Sequence, residues 1–417
     1  MLFKRLKGIF YLVFPITSFV MFPFIPGTTP AFLLCFVFFF SMPLFVQPTQ
    51  YISFYKIVFA FLSILLLFLV LSEIGVFFSD TPSISALTLV KDDNPEKLFL
   101  RGTVFTQHLY FLAAVIAFAF MVVFFEKEDM KLVFWGIRLL MTYGFIEWGA
   151  YLLTGQQIDF LTNRTFDDGN VEGSFFQIMN IAGLELQRMK SLTGEPSMFA
   201  FTILPFWVLA IEYKRKTDII LTSMVLVLSI STTAAFGMFV YAMYKMFRAG
   251  LKTKITLLAI TAVILVLLFA FFGDLIELIW QQLVVEKFSG ESVSGQDRMG
   301  GFAASVDFWS KANLWIKMFG VGFGVVRSTD FFSTLLVNNG IIGIIFWLTL
   351  FFAPFVLVGA KRKTEMKKLF PAVLVIFASL FSSVPEYMYL NIWVTLGMTY
   401  HLLAEDLWVQ DKKLLIA

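Results

Sequence analysis

Four stretches of the chain carry residue types that could do chemistry on a charged or hydroxylated substrate. The first runs Arg188-Met189-Lys190-Ser191-Leu192-Thr193-Gly194-Glu195-Pro196-Ser197. Proline suits the first turn of a helix and an acid there complements the helix dipole, so Glu195 reads either as a capping acid or as a functional one. The second is Ser231-Thr232-Thr233, a hydroxyl-rich turn able to satisfy its own backbone. The third is Gln296-Asp297-Arg298-Met299-Gly300-Gly301. The fourth is Gly320-x-Gly322-x-Gly324 leading to Arg327-Ser328-Thr329-Asp330 and then Asn338-Asn339-Gly340-Ile341-Ile342-Gly343. Glycines so spaced let a backbone approach a ligand closely or simply bend a loop. They are no dinucleotide fingerprint, because no strand–helix unit is plausible around them. Singly, Arg188, Arg298 and Arg327 could be surface charges. Together they could clamp a pyrophosphate, since a guanidinium keeps its charge and binds phosphate through two parallel hydrogen bonds.

The elements that must position these residues are read from composition. Of 417 residues 59% are hydrophobic and only 15% charged, and the mean hydropathy is +0.83. A soluble domain carries about 25% charged residues. The balance excludes a soluble enzyme, a nucleic-acid binder and a disordered scaffold. One cysteine, Cys35, and two histidines, His108 and His401, leave no basis for a disulfide within the chain, a CxxC site or a His-rich metal centre.

A bilayer core needs roughly 20 apolar residues per helix. Apolar runs predict spans near 9–25, 30–46, 55–78, 105–125, 132–154, 198–211, 254–272, 332–358, 369–384 and 387–404. The basic clusters Lys4-Arg5-Lys7, Lys214-Arg215-Lys216, Lys245/Arg248/Lys252/Lys254 and Lys361-Arg362-Lys363 with Lys367-Lys368 should face the cytoplasm. They share a side only if 218–247 crosses twice or enters and returns, with its turn within Ser229–Gly237. The expected fold is therefore an all-α polytopic membrane protein, one integral membrane domain over 1–417. It has about 12 crossings, including a short broken hairpin near 218–247. External loops fall at 79–104, 155–197 and 273–331, and both termini are cytoplasmic. Apolar residues at helical spacing over 275–284 suggest a helix lying at the interface.

The order of motifs resembles the bacterial O-antigen polymerase (Wzy-type) and O-antigen ligase superfamily. The matching pieces are Arg188 ahead of Glu195-Pro196-Ser197, the turn at Ser231-Thr232, Arg298, and Gly320-x-Gly322-x-Gly324 leading to Asn339-Gly340. The resemblance covers about 180–345 by motif and the rest by hydropathy. The ligase branch carries a His-Asn pair where this chain has Thr329-Asp330, which favours a polymerase and shifts the candidate base to Asp330. The resemblance implies a GT-C-like fold and glycosyl transfer on the outer, periplasmic or external, face of the bacterial cytoplasmic membrane. Donor and acceptor would be oligosaccharides on undecaprenyl pyrophosphate, the pyrophosphate lipid leaving as the chain grows. Membrane lipids and a chain-length regulator would be partners, and nucleic acid would not. Arg188, Arg298 and Arg327 would hold phosphates, Asp330 or Glu195 would accept a proton, and Gly320, Gly322, Gly324, Ser231 and Thr232 would shape the loops. No nucleotide or metal motif is present in the sequence, so no cofactor is expected. The rival readings are a ligase that moves finished polymer to a lipid core, and a flippase for the lipid-linked unit. The flippase reading is weakened by the one-sided polar loops and the lack of a half-to-half repeat.

Overall fold

The computed structural model describes residues 2–22, 25, 27–78, 81–90, 97–161, 177–181, 184–252, 254–256, 293–382 and 386–414, with side chains at all of these except 180, 181, 184, 293–298 and 407–414. Proline and glycine punctuate the helices. Pro30, Pro48 and Pro196 open α2 (Pro30–Phe45), α3 (Pro48–Phe78) and α6 (Pro196–Glu212), where a missing N–H costs nothing. Gly155, left-handed at φ 68°, closes the helix α5 (Met130–Thr154). The other helices are α1 (Leu2–Val13), α4 (Gly102–Phe124), α7 (Lys216–Leu228), α8 (Thr232–Arg248), α9 (Val293–Lys311), α10 (Leu314–Phe319), α11 (Phe331–Asn338), α12 (Gly340–Leu357), α13 (Lys363–Ser382) and α14 (Leu390–Leu414). Among the described residues α3, α4 and α12 are long and apolar enough to cross a membrane, while α2 and α6 are apolar but shorter. The protein is a mostly helical membrane protein.

Helix α4 is the axis of the bundle. Its run Ala113–Met121 is wholly buried, and its alanines admit close neighbours. A Cβ on Gly397 of α14 would stand 2.3 Å from the Cβ of Met121, so the two helices touch almost backbone to backbone. Gly136 of α5 similarly meets the Tyr11 carbonyl of α1, with 2.1 Å left for a Cβ.

The basic clusters gather at one end. Lys7 donates to the Phe124 carbonyl at 2.7 Å and pairs with Asp129 at 2.6 Å, joining the start of α1 to the end of α4. Lys245 pairs with Glu212 at 2.6 Å, and the Lys368 ammonium lies 5.2 Å from the centre of the Tyr213 ring. Arg362 meets Glu405 at 3.0 Å. The Lys245–Glu212 pair carries the hairpin argument. Segment 218–247 goes up as α7, breaks at Ser229–Ser231 and comes back as α8, both arms flanking α6.

The structure departs from the sequence expectations in four places. The span expected at 9–25 is the short helix α1, which stops at Val13 because Pro15 disfavours helical backbone in Phe14. The span expected at 332–358 is two helices, broken at Asn339 and at Gly340, where φ is +62°. Loop 273–331 holds α9 and α10. Loop 155–197 contains an antiparallel hairpin, β1 (Ile178–Ile181) with β2 (Leu184–Gln187), registered Ile178 on Gln187 and Ile181 on Leu184. Apolar alternation in Leu184-Glu185-Leu186-Gln187 favours strand. Most of the expected span 254–272, and the amphipathic stretch 275–284, lie outside the described residues.

The glycine turns give a stability prediction. A Cβ at Gly320 would sit 2.2 Å from the Asn338 carbonyl carbon, and one at Gly340 2.5 Å from that of Met318, both at positive φ. Gly320→Ala and Gly340→Ala should each destabilise by roughly 1–3 kcal/mol from the left-handed backbone alone. Gly149→Ala, with nothing within 4 Å of the new carbon, should be neutral or add up to about 1 kcal/mol. Thermal unfolding in detergent reads the difference.

Candidate functional site

The end of the bundle away from the basic clusters is built from broken backbone. Loop 320–327 turns through three left-handed glycines, Gly320, Gly322 and Gly324, at φ 74°, 118° and 89°. What those glycines approach is protein. Gly320 faces the Asn338–Asn339 backbone, and Gly324 faces Gln107 of α4, with 2.6 Å left for a Cβ. The Asn338 carboxamide then clamps the loop, accepting from Val326 N at 2.9 Å and donating to Val326 O at 2.7 Å. On its other edge the loop joins residues 88–90: Val90 N donates to Val325 O at 3.0 Å and Arg327 N to Thr88 O at 2.9 Å. The backbone of Arg327 is therefore fixed while its side chain is exposed and paired with Glu386.

Arg188 is held from the opposite side of this end. Its Nε donates to Ser229 O at 3.2 Å, in the break between α7 and α8, and its Nη1 donates to Gln177 Oε1. Burial draws the Arg188 pKa down and the nearby Glu195 carboxylate opposes that shift. Glu195 is half-buried in extended backbone ahead of α6. Its side chain makes no bond to the helix backbone, and it accepts from the Ser197 hydroxyl. Two residues past Arg188, Lys190 is completely buried, 3.4 Å from Asp159 Oδ2 and 3.9 Å from Glu147 Oε1. A buried ammonium is tolerable only when so paired. These pairs fasten the Arg188 segment to α5.

Tyr389 lies between Arg327 and Glu195. It is buried between α13 and α14, its hydroxyl donates to Met198 Sδ at 2.8 Å, and both Arg327 and Glu195 act on it electrostatically. Burial raises the Tyr387 and Tyr389 phenols above their ordinary range and Arg327 partly offsets this, so both remain neutral hydroxyls. Arg327, Glu386, Thr334, Tyr387 and Tyr389 line a cavity of about 260 Å³ that also reaches Gln107 and Tyr110 of α4.

Arg188 thus lies near Glu195, and Glu195 and Arg327 each lie near Tyr389. Arg298 lies in α9, but its side chain is outside the described residues. Asp330 is held differently. It is buried, caps α11 through Ser333 N at 2.8 Å, and accepts from Ser333 Oγ at 2.6 Å, so both carboxylate oxygens are occupied. Ser231 caps α8, accepting from Thr233 N at 3.2 Å, and Thr232 follows as the first residue of that helix. Glu386 and the two tyrosines were not singled out in the sequence. Their signal was the Pro385-Glu386-Tyr387-Met388-Tyr389 connection between two apolar runs, which reads as a mere turn.

No protein-family model matches the chain, and no curated protein matches it either.

The hydrogen bonds of Asp330 make its role testable. Asparagine caps a helix as well as aspartate does, and alanine does not. Asp330→Asn should keep stability and most activity, while Asp330→Ala should lose about 0.5–2 kcal/mol. A proton-accepting Asp330 would instead lose activity in the asparagine variant with its stability intact.

Proposed function

We propose that this protein is a membrane-embedded polymerase that joins oligosaccharide repeat units carried on undecaprenyl pyrophosphate, at the outer face of a bacterial cytoplasmic membrane. One observation carries the reading. Two arginines on separate segments each stand beside a carboxylate, Arg188 near Glu195 and Arg327 on Glu386, with the buried Tyr389 near both Glu195 and Arg327, away from the basic end. In this proposal the basic end faces the cytoplasm, both termini lie there, the chain crosses about 12 times, and the scaffold is GT-C-like.

The chemistry follows from charge. A hydroxyl of one repeat unit attacks the anomeric carbon of the chain on the second lipid. The new carbon–oxygen bond forms as the bond to the pyrophosphate oxygen breaks, with inversion. Negative charge gathers on the leaving group, and cations already in place stabilise it without reorganisation. Arg188 is preorganised by Ser229 and Gln177. Arg327 exchanges Glu386 for phosphate oxygens. The hydroxyl proton passes to Glu195, whose carboxylate lacks the two-point anchoring that commits Asp330 to its cap. Arg298 is the third phosphate ligand in this scheme. Donor and acceptor are both lipid-linked, and a chain-length regulator is the protein partner the scheme accommodates.

The test is a ladder assay with the purified protein in vesicles supplied with a lipid-linked oligosaccharide. Arg188→Ala and Arg327→Ala should each lower turnover by about 10²–10³-fold, and Glu195→Gln by about 10²–10⁴-fold. Full activity in all three, in correctly inserted protein, would sink the scheme.

A further inference from the structure

A large cavity lies at the opposite, basic end of the bundle. It measures about 890 Å³ and sits between the start of α1, the end of α2, the end of α4 and the facing parts of α13 and α14. One wall is apolar, with Phe3, Phe45 and Phe124. The cations on its lining are Lys7, Lys127, Arg215 and Arg362, and the acids are Glu126, Glu128, Glu365 and Glu405. Four of each sign balance, in the most basic region of the molecule. Such a lining is poorly suited to a simple anion, which would leave the acids facing it. It suits a dipolar group that presents phosphate to the arginines and an ammonium to the carboxylates.

A second observation gives the ligand its apolar part. On α2, Val37, Phe40 and Leu44 are 44%, 76% and 81% exposed. Their spacing puts them along one stripe of the helix, running down to Phe45 and Val46 at the cavity rim. A molecule with its head in the cavity would lay its chains on that stripe.

We propose that this cavity binds the headgroup of a zwitterionic phospholipid bearing a primary ammonium. The phosphate lies toward Arg362 and Arg215, and the ammonium toward Glu405 and Glu126. Arg362 and Glu405, 3.0 Å apart and each more than a third exposed on the side chain, open to admit the two charges. The lipid then wedges α1, α2 and α4 against α13 and α14, far from the proposed chemistry.

General attraction of lipids to a basic protein surface predicts the reverse selectivity, since it favours anionic headgroups. The experiment is intact-complex mass spectrometry on the full-length protein in detergent, titrated separately with phosphatidylethanolamine, phosphatidylcholine and phosphatidylglycerol. Phosphatidylethanolamine should bind at least about tenfold more tightly than phosphatidylglycerol, the scale of one charge-assisted hydrogen bond. Phosphatidylcholine, which cannot donate from its ammonium, should fall between. Glu405→Gln should abolish the preference, because the headgroups share the phosphate and only the ammonium distinguishes them. So should Gln50→Trp, which fills the rim from an exposed position and leaves every ion pair intact. Equal or tighter binding of phosphatidylglycerol would overturn the proposal. So would a phosphatidylethanolamine preference that survives both substitutions in monodisperse protein.

Discussion

Every break in a helix of this bundle must find hydrogen-bond partners inside the protein, because lipid offers none. That constraint organises the end where the candidate site lies. The break between α7 and α8 exposes the Ser229 carbonyl, and Arg188 donates to it. Loop 320–327 cannot pair as a sheet with a second strand along its full length. The Asn338 side chain supplies both a donor and an acceptor to Val326 instead. Helices α8 and α11 begin inside this region, and Ser231 and Asp330 cap them. Remove these partners and each break becomes a buried unsatisfied backbone group, costing about 1–3 kcal/mol apiece.

The same partners place the charges. Arg188 is held by the backbone it serves, and Lys190 two residues later is sunk between Asp159 and Glu147. The segment that carries both cations therefore has little freedom. Arg327 is fixed differently, through its own N–H on Thr88 and the clamped neighbour Val326, which leaves its side chain free to exchange partners. Burial under Tyr387 and Tyr389 gives the cavity a neutral, hydroxylated wall. Rigid backbone with one exchangeable guanidinium is an arrangement suited to an arriving and departing phosphate.

Much of this was legible in the sequence because hydrophobicity and charge report on burial directly. Apolar runs located α2, α4, α5 and α6 to within a few residues, and the basic clusters required 218–247 to return; the Lys245–Glu212 contact holds the end of α8 beside the end of α6. The failures have physical causes. Asn339-Gly340 stands between two apolar runs short enough to read as one span, so composition hid a break that positive φ at Gly340 creates. The glycines 320, 322 and 324 do bend a loop, but the surface they approach, Asn338 and Gln107, is brought there by long-range folding and could not be read from their spacing. The cap that Asp330 forms could not be read, because its partner Ser333 follows it in an otherwise apolar stretch. Glu386 was invisible for the opposite reason: it lies in a short connection between two apolar runs, which gives no hint that it lines a cavity.

The central claim is that the two-arginine end of the bundle joins lipid-linked repeat units outside the membrane. The most direct test removes the gene from its own host, then resolves surface glycans on a gel beside the extracted lipid-linked intermediates. The account predicts surface glycan that stops at a single repeat unit, with long chains restored by the wild-type gene and not by an Arg327→Ala copy. Long polymer stranded on its lipid carrier, single units trapped on the cytoplasmic face, or an unchanged ladder would each contradict it.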